Sequence, residues 1–190
     1  MHNLLLPLAL LLALEAEAAE VEPEETVPAG YVAQILEPTG GRILRPEDWH
    51  YQERHRGKRY DWVIAQEDLE ANKGRYQTGV RIQCFIDIEE NTALTPKQFM
   101  LAEYQKVKAK ADRVVRYCEE QEDGIFTRIC LETIEGPYHI LYSYFWMSSG
   151  GDLAVVTIAG APKEEWDNHR ETFDTMQSFE LIDMRRFEDE

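Results

Sequence analysis

The sequence predicts an α+β fold, a central antiparallel sheet with helices packed on its faces. Three observations carry this expectation. Val80, Ile82, Cys84, Ile86 and Ile88 recur at period two, the spacing of a strand with one buried face. Two stretches, 95–111 and 162–178, repeat their apolar residues at helical spacing. Strands and helices also follow one another without βαβ alternation, which favours antiparallel over parallel pairing.

Taken in order, structure is expected from Tyr31. Residues 31–36 are expected to form a first strand and Gly40-Gly41 a turn, after which Arg42 to Leu44 leads into Arg45-Pro46-Glu47-Asp48-Trp49. A basic loop precedes a strand at 60–66, and 79–88 is the clearest strand of the chain. Thr95-Pro96 reads as a helix start, a hydroxyl N-cap followed by proline at the first helical position. Phe99, Met100, Tyr104, Val107 and Ala111 make that helix's apolar stripe, and Lys97, Lys106, Lys108 and Lys110 its solvated side. Two hairpins follow, 114–120 with 125–134 and 138–147 with 153–159. A last helix spans 162–178, with Trp166, Arg170, Phe173, Met176 and Phe179 inward and Arg170 reaching its head back to water.

Ahead of this domain, Leu4 to Leu14 is an apolar run followed by Ala16-Glu17-Ala18. These are the hydrophobic region and small-x-small site of a secretory signal, too short to span a bilayer. Cleavage after Ala18 is expected. Residues 19–30 then form an acidic linker, 31–183 one globular domain, and 184–190 a charged tail. The chain carries −16 overall. Removing residues 1–18 takes away Glu15 and Glu17 and no Lys or Arg, which leaves −14. Such a charge argues against nucleic acid or an anionic membrane surface as partner. No second long apolar run predicts a membrane span.

Export permits disulfides. Cys118 and Cys130 flank the turn Glu122-Asp123-Gly124 on what read as polar strand faces, near positions that could be cross-strand neighbours about a turn centred on Gly124. Their disulfide would contribute about 3 kcal/mol by loop closure. Cys84 shares the apolar face of its strand and is expected to be a buried thiol.

Catalytic patterns are missing from the sequence: it holds no G-x-S-x-G, H-E-x-x-H, G-x-G-x-x-G or phosphate loop. Ser148 and Ser149 belong to a hairpin tip. His50, His55, His139 and His169 lack metal-ligand spacing, so neither a metal nor a cofactor is expected. One segment stands apart. Between Trp49 and Trp62, Arg54, Arg56, Lys58 and Arg59 are interleaved with His50, His55, Tyr51 and Tyr60. Arg, Tyr and Trp are the residue types that anchor interfaces. Trp49, His50, Arg54, His55, Arg56, Arg59, Tyr60 and Trp62 are therefore the candidate binding residues. Arg54, Arg56 and Arg59 are expected to tolerate Glu without unfolding. The plainer reading is a hairpin with its aromatics inward and Arg56-Gly57-Lys58 as its turn. Tyr142, Tyr144 and Trp146 share one strand face, either as core under a helix or as the wall of a small-ligand or metal pocket.

Pro46-Glu47-Asp48-Trp49, the alternating strand ahead of Thr95-Pro96-Lys97-Gln98-Phe99, and the closing Met176-Gln177-Ser178-Phe179 together resemble the PsbP-like superfamily. The resemblance runs over 31–183. It implies an antiparallel sheet sandwiched by helices. The superfamily includes the extrinsic P subunit of photosystem II, a Ran-binding import factor, bacterial envelope proteins and type VI effector chaperones. These are mostly adaptors and assembly factors without a shared catalytic set. The chain departs from the lipoprotein members in lacking a cysteine after the apolar run. Its signal sets it apart from the import factor and the secretion chaperones. The resemblance thus implies a non-enzymatic periplasmic binding or assembly role with an envelope protein as partner.

Overall fold

The computed structural model describes residues 27–177, 180, 182 and 183. The signal at 1–18, most of the linker at 19–30, the tail at 184–190, and Ser178 and Phe179 of the closing motif lie outside the described residues.

A seven-stranded antiparallel sheet forms the body, in the order β3-β4-β5-β9-β8-β7-β6. Its strands are β3 (His50–Glu53), β4 (Arg59–Ala65), β5 (Gly79–Ile86), β6 (Arg113–Asp123), β7 (Phe126–Glu135), β8 (Tyr138–Met147) and β9 (Leu153–Pro162). A separate two-stranded sheet pairs β1 (Tyr31–Leu36) with β2 (Gly41–Pro46). Among the described residues there are three helices, α1 (Ile88–Thr92), α2 (Pro96–Lys110) and α3 (Trp166–Met176).

Period two sorts the sheet's side chains onto two faces. Along β8, Leu141 and Phe145 join one core cluster with Trp166, Phe173 and Met176 of α3. Tyr142, Tyr144 and Trp146 join another with Met100 of α2. The aromatic trio is therefore core. Its side chains are at most 9% exposed and belong to one cluster with Met100, the packing-under-a-helix reading of this strand face. On this second side α2 lies over β7, β8 and β9. The β3–β4–β5 end is covered instead by the β4–β5 loop, through Val63, Ala65, Leu69 and Tyr76.

α2 starts as its sequence requires. Thr95 Oγ1 accepts from the Gln98 amide at 3.3 Å, and Gln98 Oε1 accepts from the Thr95 amide at 3.0 Å. This reciprocal capping box satisfies two otherwise unpaired donors.

Two boundaries differ from the sequence reading. β5 stops at Ile86 because Asp87 turns left-handed, at φ 53°, a conformation that Asp tolerates better than most residues. Asp152 fixes this corner, its carbonyl accepting from the Asp87 amide and its carboxylate from the Glu89 amide at 3.0 Å. The last helix begins at Trp166 rather than near Pro162, because Pro162 is still paired with Tyr138 as the final residue of β9.

Cys118 and Cys130 are directly opposite in the β6–β7 register and are disulfide-bonded. The face they occupy is not the solvated one that the polar neighbours suggested. Cys130 is 1% exposed and Glu132 likewise, because Trp166 and the rest of α3's cluster lie over that side.

Cys84 is buried and free. Burial pushes its thiol up to about 12 from 9.0, and it also raises the phenols of Tyr142 and Tyr144 above 10.0. All three are raised relative to the unfolded chain. The stability they contribute is therefore fully present below the unfolded values and is lost as pH rises through the folded ones. Urea midpoints are expected to be flat around neutrality and to fall above about pH 9, where Cys84 of the unfolded chain begins to ionise, and further above 10 with the two phenols. Cys84 should stay silent to a thiol reagent until the chain unfolds.

Candidate functional site

The basic aromatic segment is the β3–β4 hairpin, and period two divides its residues. Trp49 and Trp62 go to the core, 6% and 1% exposed. Trp62 Nε1 donates to the Glu37 carbonyl at 2.8 Å, and Trp49 meets Phe173 edge-on. Neither tryptophan is available to a partner. Tyr60 is half-buried and packs edge-on with His55. His55 Nδ1 accepts from the Asp61 amide at 3.2 Å, while Nε2 faces Glu53 at 3.3 Å. That pair of contacts suits the neutral ring protonated at Nε2. His50 is exposed.

The cations divide as well. Arg54 donates through Nε and Nη2 to Gln52 Oε1 at 2.8 and 2.6 Å, and through Nη2 to the Gly74 carbonyl at 3.0 Å. It ties the β4–β5 loop to the hairpin. Gly74 permits this because its φ is +76° and a Cβ there would fall on the Arg54 guanidinium. Asp61, with a side chain only 2% exposed, gathers three donors. Arg81 binds it bidentately at 3.2 and 3.1 Å, Gln83 donates at 2.7 Å, and Arg59 Nη2 lies at 3.0 Å. Lys58 pairs with Asp87, which raises the lysine's pKa. Arg54 and Arg59 therefore hold the fold together, contrary to the expectation that Glu could replace them freely. Arg56, Lys73 and Arg75 form no ion pair among the described residues.

These groups make a continuous row. Arg56, Lys58 and Arg59 edge a groove of about 380 Å³ floored by Phe85, Ile86 and Phe99. Arg59 shares Asp61 with Arg81. Arg81 in turn lines an open cleft of about 800 Å³ together with Arg54, Lys73 and Arg75. Glu67 is the acidic group of that lining, and its carboxylate is engaged by the Gln77 and Thr78 amides at 2.8 and 3.2 Å. In a chain of −16, seven cations are collected at one end of the sheet. Lys73, Arg75 and Arg81 were not among the residues singled out in the sequence. The available signal was the pairing of Asp61 with Gln83, which follows once β4 and β5 are aligned.

A second charged cluster lies under α3. Glu132 accepts from Arg116 and contacts His139 Nε2 at 2.6 Å, with Arg170 Nη2 at 4.0 Å. His139 stacks on Trp166, ring centroids 4.2 Å apart. Arg170 thus sits at the inward edge of α3 with its head half in water, as its spacing implied. Ser148 bonds Thr127 across the hairpin end, Oγ to Oγ1 at 2.9 Å. Among the described residues no three His, Cys, Asp or Glu side chains converge as a metal site. No helix among them is long and apolar enough to cross a membrane.

This architecture is that of an α+β protein with a PsbP-like fold. The solution structure of cyanobacterial PsbP (CyanoP) from Synechocystis sp. PCC 6803 superposes with a TM-score of 0.50 over 82% of this chain and 94% of that one, at 15% sequence identity. No protein-family model matches the sequence, and no curated protein matches it by sequence.

Proposed function

We propose that this chain is a non-enzymatic binding or assembly protein of the cell envelope that docks an acidic protein partner on its basic row. The helix-sheet-helix sandwich of the PsbP-like proteins serves it as a rigid support. One observation carries the reading: Arg56, Lys73 and Arg75, cations without ion pairs among the described residues, lie along one end of a strongly acidic molecule. Complementary charge there would steer an acidic partner and set its orientation. Export through the signal, with cleavage near Ala18, and the Cys118–Cys130 disulfide fit an oxidising compartment such as the periplasm.

The test is capture from the host's envelope fraction, with the chain starting at Ala19 as bait. The control is the Arg56→Glu/Lys73→Glu/Arg75→Glu variant, which breaks no ion pair among the described residues. A protein retained by the first bait and lost with the second, while both give the same circular dichroism, is the expected result. Identical recoveries on the two baits would refute the docking surface.

A further inference from the structure

The basic cleft does not end at its charged wall. Sharing Tyr76, Gln77 and Tyr138 with it lies a recess of about 200 Å³, and the rest of that recess is Gly79, Ile140, Ile158 and Gly160. One compartment is cationic and the next is apolar. The recess exists because β5 and β9 each place a glycine on this face, paired directly as Gly79↔Gly160. No side chain rises from either position to fill the space.

We propose that cleft and recess together bind a small amphipathic anion, an oxyanion head joined to a ring or short alkyl group. Lys73 and Arg75 form no ion pair among the described residues and supply neutralising charge. Arg54 and Arg81 are held in place by Gln52, Gly74 and Asp61, and their Nη1 groups make no hydrogen bond among the described residues. Fixed guanidinium donors with a free edge suit the oxygens of a phosphate or carboxylate. Glu67 does not compete, because both its oxygens face backbone amides. The recess suits the apolar part, since a cavity of ~150 Å³ already admits benzene. The site shares Lys73 and Arg75 with the docking surface but not Arg56, adds the apolar recess, and takes a different occupant.

Calorimetric titration of the full chain with phenyl phosphate, phenylacetate and inorganic phosphate, at one ionic strength, tests the site. At least one ring-bearing anion is expected to bind about tenfold or more tightly than inorganic phosphate, and whichever does so identifies the head group. Lys73→Gln/Arg75→Gln should weaken that binding by about tenfold or more. Gly160→Val should abolish the advantage of the ring and leave inorganic phosphate unchanged. A Cβ at Gly160 meets its neighbours no closer than 3.6 Å, so the backbone there has room for a side chain to begin, and an unchanged circular dichroism spectrum checks that Val is accommodated. The comparison among anions on the unaltered protein stands without either variant. No saturable binding of a ring-bearing anion, or binding indifferent to either substitution, would overturn the proposal. Titration uses no protein partner and capture uses no small anion, so each can fail alone.

Discussion

Glu132→Ala is expected to lower stability by about 3 kcal/mol, seen as a fall in the urea midpoint at unchanged slope. Glu132 is 1% exposed and is the acceptor shared by Arg116 and His139, with Arg170 close by. Removing it leaves His139, itself mostly buried, without its partner and opens a void below α3. Because His139 stacks on Trp166, the damage should spread to the start of α3 and be visible as a change in tryptophan fluorescence before global unfolding. Glu132→Gln keeps the volume but turns an amide donor toward one of two donors, so its cost should fall between Ala and the native residue. A loss below about 1 kcal/mol for Ala would mean that water reaches the cluster through the half-exposed Arg116 and Arg170 and that the pair is effectively a surface one.

The same cluster shows what local pattern conveys and what it hides. Arg128, Cys130 and Glu132 alternate correctly as one strand face, and the disulfide partner of Cys130 followed from the turn at Gly124. Polarity nevertheless assigned that face to solvent. Which strand face α3 covers depends on a contact between residues more than thirty positions apart, and no local period encodes it. Trp62 is the converse case. It shares its face with Ile64, so alternation alone placed it in the core, yet its neighbours in sequence drew it into the candidate surface. The cations behaved in a third way. Each was visible in the sequence as charge. Which are tethered and which are free became evident only from register, as Arg54 reaches Gly74 and Arg81 reaches Asp61 across twenty residues. The β4–β5 loop that supplies Lys73 and Arg75 has no apolar period of its own and gave no reason to single it out.

Asp61→Asn should separate folding from binding. The carboxylate is buried and offsets two guanidinium groups, and losing one partner of a fully buried pair costs about 3–5 kcal/mol. Here the Arg59 and Arg81 side chains remain 37% and 35% exposed, so water recovers part of that cost. A loss of roughly 2 kcal/mol is expected. The substitution keeps the side chain's size and one acceptor that Gln83 and Arg81 Nε can share, while its amide nitrogen faces Arg81 Nη2 and Arg59 Nη2, so Arg81 keeps one of its two bonds and loses its counter-charge. A bound anion would then supply the missing charge. Phenyl phosphate or phenylacetate should bind several-fold more tightly to the variant than to the native chain, and should raise its urea midpoint by more than it raises the native one. Lower stability together with weaker binding would reverse this expectation, and would mean that the Asp61 charge orients Arg81 for the ligand rather than competing with it.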